Sequence, residues 1–166
     1  MRTWQYGVCL AGALLLGALP VQADDVVSVK RITMDLAAEI ADAAVKACRE
    51  KGYQVSAVVV DRNGNTQMAM RDTLASRFTL QIAEEKANLV IMSGMPSAQF
   101  RDSREDIRPE LNHIDGIVVM DGGLPIQAAG TNIAAIGVSG APGGDIDADC
   151  AAKGIASVQE RLDFIE

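Results

Sequence analysis

GIVVMDGGLPIQAAGTNIAAIGVSG, residues 116–140, decides the fold. It holds three short apolar runs, 116–120, 124–129 and 133–139, separated by Asp121-Gly122-Gly123 and Gly130-Thr131-Asn132. Both interruptions are rich in turn formers. They are also far too short for a helical crossover, so neighbouring strands must run antiparallel. Upstream, residues 53–60 are β-branched and aromatic, and Asn63-Gly64 leads into 66–70, the signature of a tight hairpin. The expectation is a central sheet of five antiparallel strands.

Helical patterns surround these strands. Residues 33–51 place Leu36, Ile40, Ala44 and Cys48 on one stripe, with Ala37, Ala41 and Val45 beside it, and stop at Gly52. Residues 76–92 set Leu80, Ala83, Ala87, Val90 and Ile91 on an apolar face that Gly94 and Pro96 terminate. The charged stretch 97–112 reads as a short helix and loop across the surface. The glycine-rich run 140–144 feeds a last helix over about 147–162, buried through Ala148, Ala151, Ala152, Ile155 and Val158. Helices at both ends and one in the middle predict a single α+β domain with helices covering the sheet. No glycine fingerprint lies between a first strand and a helix, which excludes a Rossmann or P-loop unit.

Composition narrows the partners. Residues 1–6 carry one cation, Arg2, residues 7–19 are uncharged and apolar, and Val21-Gln22-Ala23 supplies the small residues of a cleavage site before Asp24. The run is shorter than the ~20 residues of a spanning helix, so residues 1–23 read as an export signal and 24–166 as the domain. Of 15 basic and 22 acidic side chains, only Arg2 leaves with the signal, so 14 remain against 22, a net charge of −8. Nucleic acid and anionic membrane surfaces are poor partners for such a chain. The expected location is the periplasm or outside the cell, where Cys48 and Cys150 meet an oxidising environment.

Several chemical motifs fail on inspection. Gly137-Val138-Ser139-Gly140-Ala141 approaches a nucleophile elbow, but Pro142-Gly143-Gly144 separates the serine from the next helix. Asp145, Asp147 and Asp149 alternate as in a calcium loop, yet Cys150 and Ala156 stand where glycine and glutamate are required. Asp145 or Asp147 is expected instead to cap the last helix. One histidine and two helical cysteines do not make a zinc site. Met68, Met70, Met92 and Met95 are read as packing.

The segments Gly122-Gly123-Leu124-Pro125-Ile126, Gly130, Ile136-Gly137-Val138-Ser139-Gly140-Ala141-Pro142-Gly143-Gly144-Asp145 and Asp149-Cys150-Ala151 resemble the GlcG/HbpS family of haem-binding proteins, also called the haem-degrading domain family. Val59-Val60-Asp61-Arg62-Asn63-Gly64 and Ala83-Glu84-Glu85-Lys86-Ala87 are similar to its first hairpin and second helix. The resemblance runs from residue 32 to 165. It implies a profilin-like α/β/α sandwich, homo-oligomers, and haem or a related tetrapyrrole as ligand. Where members often carry Asp-Gly-Ala after the second strand, this chain has Asp72-Thr73-Leu74-Ala75.

On that resemblance His113, the one histidine, is the leading axial ligand for haem iron, with a methionine, Tyr53 or the Thr131 hydroxyl as alternatives. Arg101, Arg104 and Arg108 are the candidates for its propionates, in a stretch that also includes Arg71 and Arg77. The bland counterparts are a surface histidine and arginines neutralised by Asp102, Glu105, Asp106 and Glu110. The resemblance also suggests that the first and last helices lie side by side, so Cys48 and Cys150 would form a disulfide, against the alternative of two buried thiols. No complete catalytic constellation is visible, and the reading leans away from an enzyme. The expected function is an exported haem-binding protein involved in haem handling or degradation. The alternative is a non-haem accessory domain of the periplasm that takes a small ligand or a protein partner.

Overall fold

The structure is a computed structural model and describes residues 27–164. The expected export signal over residues 1–23 and the amino terminus expected at Asp24 lie outside the described residues. Helix α1 (Met34–Glu50) begins where the Thr33 hydroxyl accepts the Leu36 N–H at 3.3 Å. Strands β1 (Ser56–Asp61) and β2 (Thr66–Arg71) form the first hairpin, followed by α2 (Phe78–Ser93). Gly94 ends α2 with φ 73°, a left-handed conformation that costs glycine little. The charged segment folds as α3 (Ser97–Ser103), a 3-10 turn over Glu105–Ile107 and a single turn, α4 (Arg108–Leu111). The second hairpin, β3 (Gly123–Ala128) and β4 (Thr131–Ser139), precedes α5 (Gly144–Ala156) and α6 (Gln159–Asp163).

The sheet has four strands rather than five, in the order β2-β1-β4-β3, with every neighbour antiparallel. Residues 117–120 do not pair as a strand. Instead the Val118 N–H donates to the Glu85 carbonyl of α2 at 3.4 Å, and that of Met120 to the Val118 carbonyl at 3.0 Å. The hydrophobicity of this run is answered by a satellite cluster, in which Ile117 and Val119 pack on Leu89, Phe100 and Leu111. An apolar run reports that something buries it, not that a sheet does. The last helix also departs from expectation. It starts earlier, at Gly144, and breaks at Val158, which leaves helical backbone with φ −123° while remaining buried.

β1 is central and wholly buried, because both of its faces are covered. Ala57 and Val59 point into the larger cluster with Ile40, Ala44, Ile136 and Ala151, so α1 and α5 form one layer. Val58 and Val60 point the other way, onto Ala83, Ala87 and Val90 of α2. The result is an α/β/α arrangement. Two glycines set how closely the layers approach. A Cβ on Gly137 would lie 1.9 Å from the Ala83 carbonyl oxygen, and one on Gly154 would lie 2.5 Å from that of Ile40. Cys48 of α1 and Cys150 of α5, both buried, are joined by a disulfide with Cα atoms 5.4 Å apart, across a sequence separation of 102. Met68 and Met70 pack against the same core. No helix among the described residues is long and apolar enough to cross a membrane.

Candidate functional site

The residues singled out for a ligand lie along 97–120, and the structure only partly gathers them. Arg101 of α3 reaches Asp121 at 2.7 Å and Asp102 at 3.0 Å, which ties it to the turn before β3. Arg104 pairs with Asp106 at 3.2 Å on the exposed side. Arg108 folds inward, donating from Nη2 to the Arg101 carbonyl at 3.4 Å, while its buried Nε has no protein partner. His113 follows α4 on an exposed turn held by its own backbone N–H, which donates to the Glu110 carbonyl at 3.0 Å. The next residue, Ile114, is 48% exposed, so the turn that holds the imidazole also carries uncovered apolar surface.

A more ordered constellation lies next to Arg101. Lys86 of α2 is 1% exposed, and its Nζ donates to the Val138 carbonyl and to Asp147 Oδ2, both at 2.9 Å. The other oxygen of Asp147 accepts the Ala141 N–H at 3.0 Å. This one ion pair therefore joins α2, the end of β4, the glycine-rich loop and α5. Burial pushes the Asp147 carboxyl above its ordinary value, and the Lys86 ammonium with the Ala141 and Gly140 N–H groups limits the rise. Asp147 is thus not a helix cap. Gly143 occupies that position, and no side chain caps α5. Sequence reasoning passed over Lys86, although a signal was present: Thr79, Ala83, Lys86 and Val90 share the buried side of α2. A lysine within an apolar stripe demands a partner.

Above this pair is a cavity of about 330 Å³, bounded by Arg101, Met120, Asp121, Ser139 and the loop over residues 140–144. Asp121 Oδ2 holds Arg101, whereas Oδ1 is buried and receives no bond from the protein. His113 is not among the residues lining this cavity.

The arrangement of a four-stranded antiparallel sheet between two helical layers matches known proteins. The family model described as haem degrading protein HbpS-like matches residues 32–156. The chain belongs to the HbpS-like family. A crystal structure of a double mutant of Streptomyces reticuli HbpS is 36% identical, with TM-score 0.76, covering 85% of this chain and 97% of the other. A second HbpS crystal structure is 34% identical with the same TM-score, covering 84% and 99%. A crystal structure of a PduOC–haem complex shares the fold at TM-score 0.68 with 21% identity, covering 77% of this chain and 95% of the other. A search of curated proteins gives no match. In this HbpS-like chain the cavity and the His113 turn are separate features of the fold.

Proposed function

We propose that this protein is an exported haem-binding protein that acts as a homo-oligomer, with His113 as axial ligand and Arg101, Arg104 and Arg108 serving the propionates. The observation that carries the reading is membership of the HbpS-like haem-degrading family over residues 32–156. The shared fold of the PduOC–haem complex supports it. The residues that fit a haem are an exposed imidazole, the exposed apolar side chain of Ile114 beside it in sequence, and an arginine of the same charged segment, Arg104, whose pair with Asp106 is exposed. Exposed pairs are worth little and yield readily to a better anion. Within one chain this is an open surface, so a second subunit would supply the opposite wall and exclude water. Bound haem would supply the iron, and the chain's own residues supply the axial nitrogen, the cations and the shelter.

Export would remove residues 1–23, leaving a chain without tryptophan, because Trp4 is the only one. Absorbance is therefore the assay. Titration with haemin should give a saturable Soret band at micromolar or tighter affinity. A linear response with no saturation would reject haem binding. The accessory-domain alternative, which the polar cavity beside Lys86 favours, would then take its place. An intact mass that still includes residues 1–23 after export would reject cleavage, and a monomer in sedimentation would reject the oligomer.

A further inference from the structure

We propose that the outer edge of β2 docks a second copy of this chain, the two β2 strands pairing antiparallel about a twofold axis. The inference gives the homo-oligomer of the proposed function a specific surface, rests on that part of the reading alone and does not involve haem.

The two edges of the sheet are finished differently. In β3 the Gly122 carbonyl accepts the Val138 N–H at 2.9 Å, and the register sets Gly123 opposite Gly137 and Pro125 opposite Ala135. Alternation along an antiparallel ladder therefore turns the backbone of Gly123 and Pro125 outward. Neither leaves a free donor there: the Gly123 N–H donates to the Ser97 hydroxyl at 2.9 Å, and proline has no N–H. In β2 the Asp72 N–H donates to the Val55 carbonyl at 2.9 Å, with Ala69 opposite Val58 and Arg71 opposite Ser56. The same alternation turns the backbone of Ala69 and Arg71 outward, where no strand among the described residues pairs with it. β2 reads Thr66-Gln67-Met68-Ala69-Met70-Arg71, with no proline or lysine to protect the edge.

Charge selects the occupant. α2 runs back along β2, because Arg71 donates to the Ala75 carbonyl just before the helix, at 2.6 Å, and Thr66 donates to Glu84 within it, also at 2.6 Å. Arg77 therefore lies toward the Arg71 end and Glu84 at the Thr66 end. Both line a groove of about 420 Å³ between α2 and β2, together with Ala69 and Phe78. Arg77 stacks over the Phe78 ring at 4.1 Å, and neither Arg77 nor Glu84 has an ion-pair partner among the described residues. A twofold axis through the sheet keeps both α2 helices on one face and sets the Arg71 end of one strand beside the Thr66 end of the other. Arg77 then faces the partner's Glu84, and Glu84 faces the partner's Arg77. Centred on Met70, the pairing joins Ala69 to the partner's Arg71 and Arg71 to the partner's Ala69. It also helps to cover Phe78, which is 56% exposed.

Sedimentation velocity on the full chain, at concentrations up to the order of 100 µM, tests this. The parent should assemble. Ala69→Pro removes an outward N–H, leaves the ladder to β1 intact, and should weaken assembly at least about tenfold. Arg77→Glu and Glu84→Arg should each do the same by setting like charges face to face, and the two combined should restore it. A monomeric parent overturns this pairing and the homo-oligomer together, leaving the edge to the strand of another protein. The pairing alone is overturned, with the homo-oligomer still standing, if folded Ala69→Pro assembles as tightly as the parent. The same holds if the single reversals lose nothing, or if the combined variant recovers nothing. Should Ala69→Pro fail to fold, the charge exchange decides by itself.

Discussion

Two charged regions of this protein are held in opposite ways. Lys86 finds its partners 52 and 61 residues away in sequence, in β4 and α5, and the whole group is sealed from solvent. Arg104 finds its carboxylate partner, Asp106, two residues away, on exposed ground between short helices. The first kind of contact forms only when the fold is complete, and therefore defines it. The second forms in almost any conformation, contributes little to stability and leaves its charges free for a ligand. Architecture rests on the buried pair and the core beneath it, whereas the proposed haem chemistry rests on the exposed segment.

Substitutions should separate the two regions by size of effect. The largest is expected on the architectural side, at the bridge between α1 and α5. Replacing Cys48 and Cys150 by serine opens a loop of about 100 residues, a loss near 4.7 kcal/mol in the chain-entropy account. Urea unfolding of the double variant against the parent measures it, and a loss under about 1 kcal/mol would mean that the unfolded chain is already constrained. Next comes Lys86→Met, which strands a buried carboxylate and should cost about 3–5 kcal/mol. Lys86→Met combined with Asp147→Leu should recover much of that. A double variant as weak as the single would show that the Ala141 and Val138 bonds, not the uncompensated charge, dominate.

Acid should expose an intermediate case. Asp72 is nearly buried, and its carboxyl is held below the ordinary range by the Arg49 guanidinium and the Thr73 N–H, against the opposing effect of burial. A carboxyl lowered in the folded state contributes fully above its unfolded value, near 3.9, and the contribution disappears as pH falls through that value toward the folded one. Stability should therefore fall below pH ~4, and Asp72→Asn should flatten that part of the profile. An unchanged profile would remove Asp72 from the acid response. The smallest effect belongs to the exposed segment: Arg104→Ala should change stability by no more than about 0.5 kcal/mol, and a larger loss would mean that Arg104 is structural and not available to a ligand.

This contrast also explains what the sequence could and could not disclose. α1, α2 and the two hairpins were legible because their periods and turn residues are local: Thr33 and Gly94 mark helix ends, and Asn63-Gly64 marks a turn. Residues 117–120 were misread because a short β-branched run has the same pattern whether a sheet or a helix end covers it. Asp147 was misread as a cap because its true partner, Lys86, is distant in sequence. The candidate site was less legible still. The sequence singled out one imidazole and several arginines, but whether they converge depends on α3, α4 and the irregular link to β3, where periodicity says little. The structure joins Arg101 to the Lys86 cavity and sets His113 apart from it.

The central claim is that the exposed turn, not the buried pair, meets haem iron. The direct measurement is haemin titration of His113→Ala beside the parent, followed in the Soret region. The account predicts a displaced Soret maximum and an affinity weaker by at least about tenfold, or 1.4 kcal/mol, with the fold intact. The same spectrum and the same affinity in both proteins would contradict it.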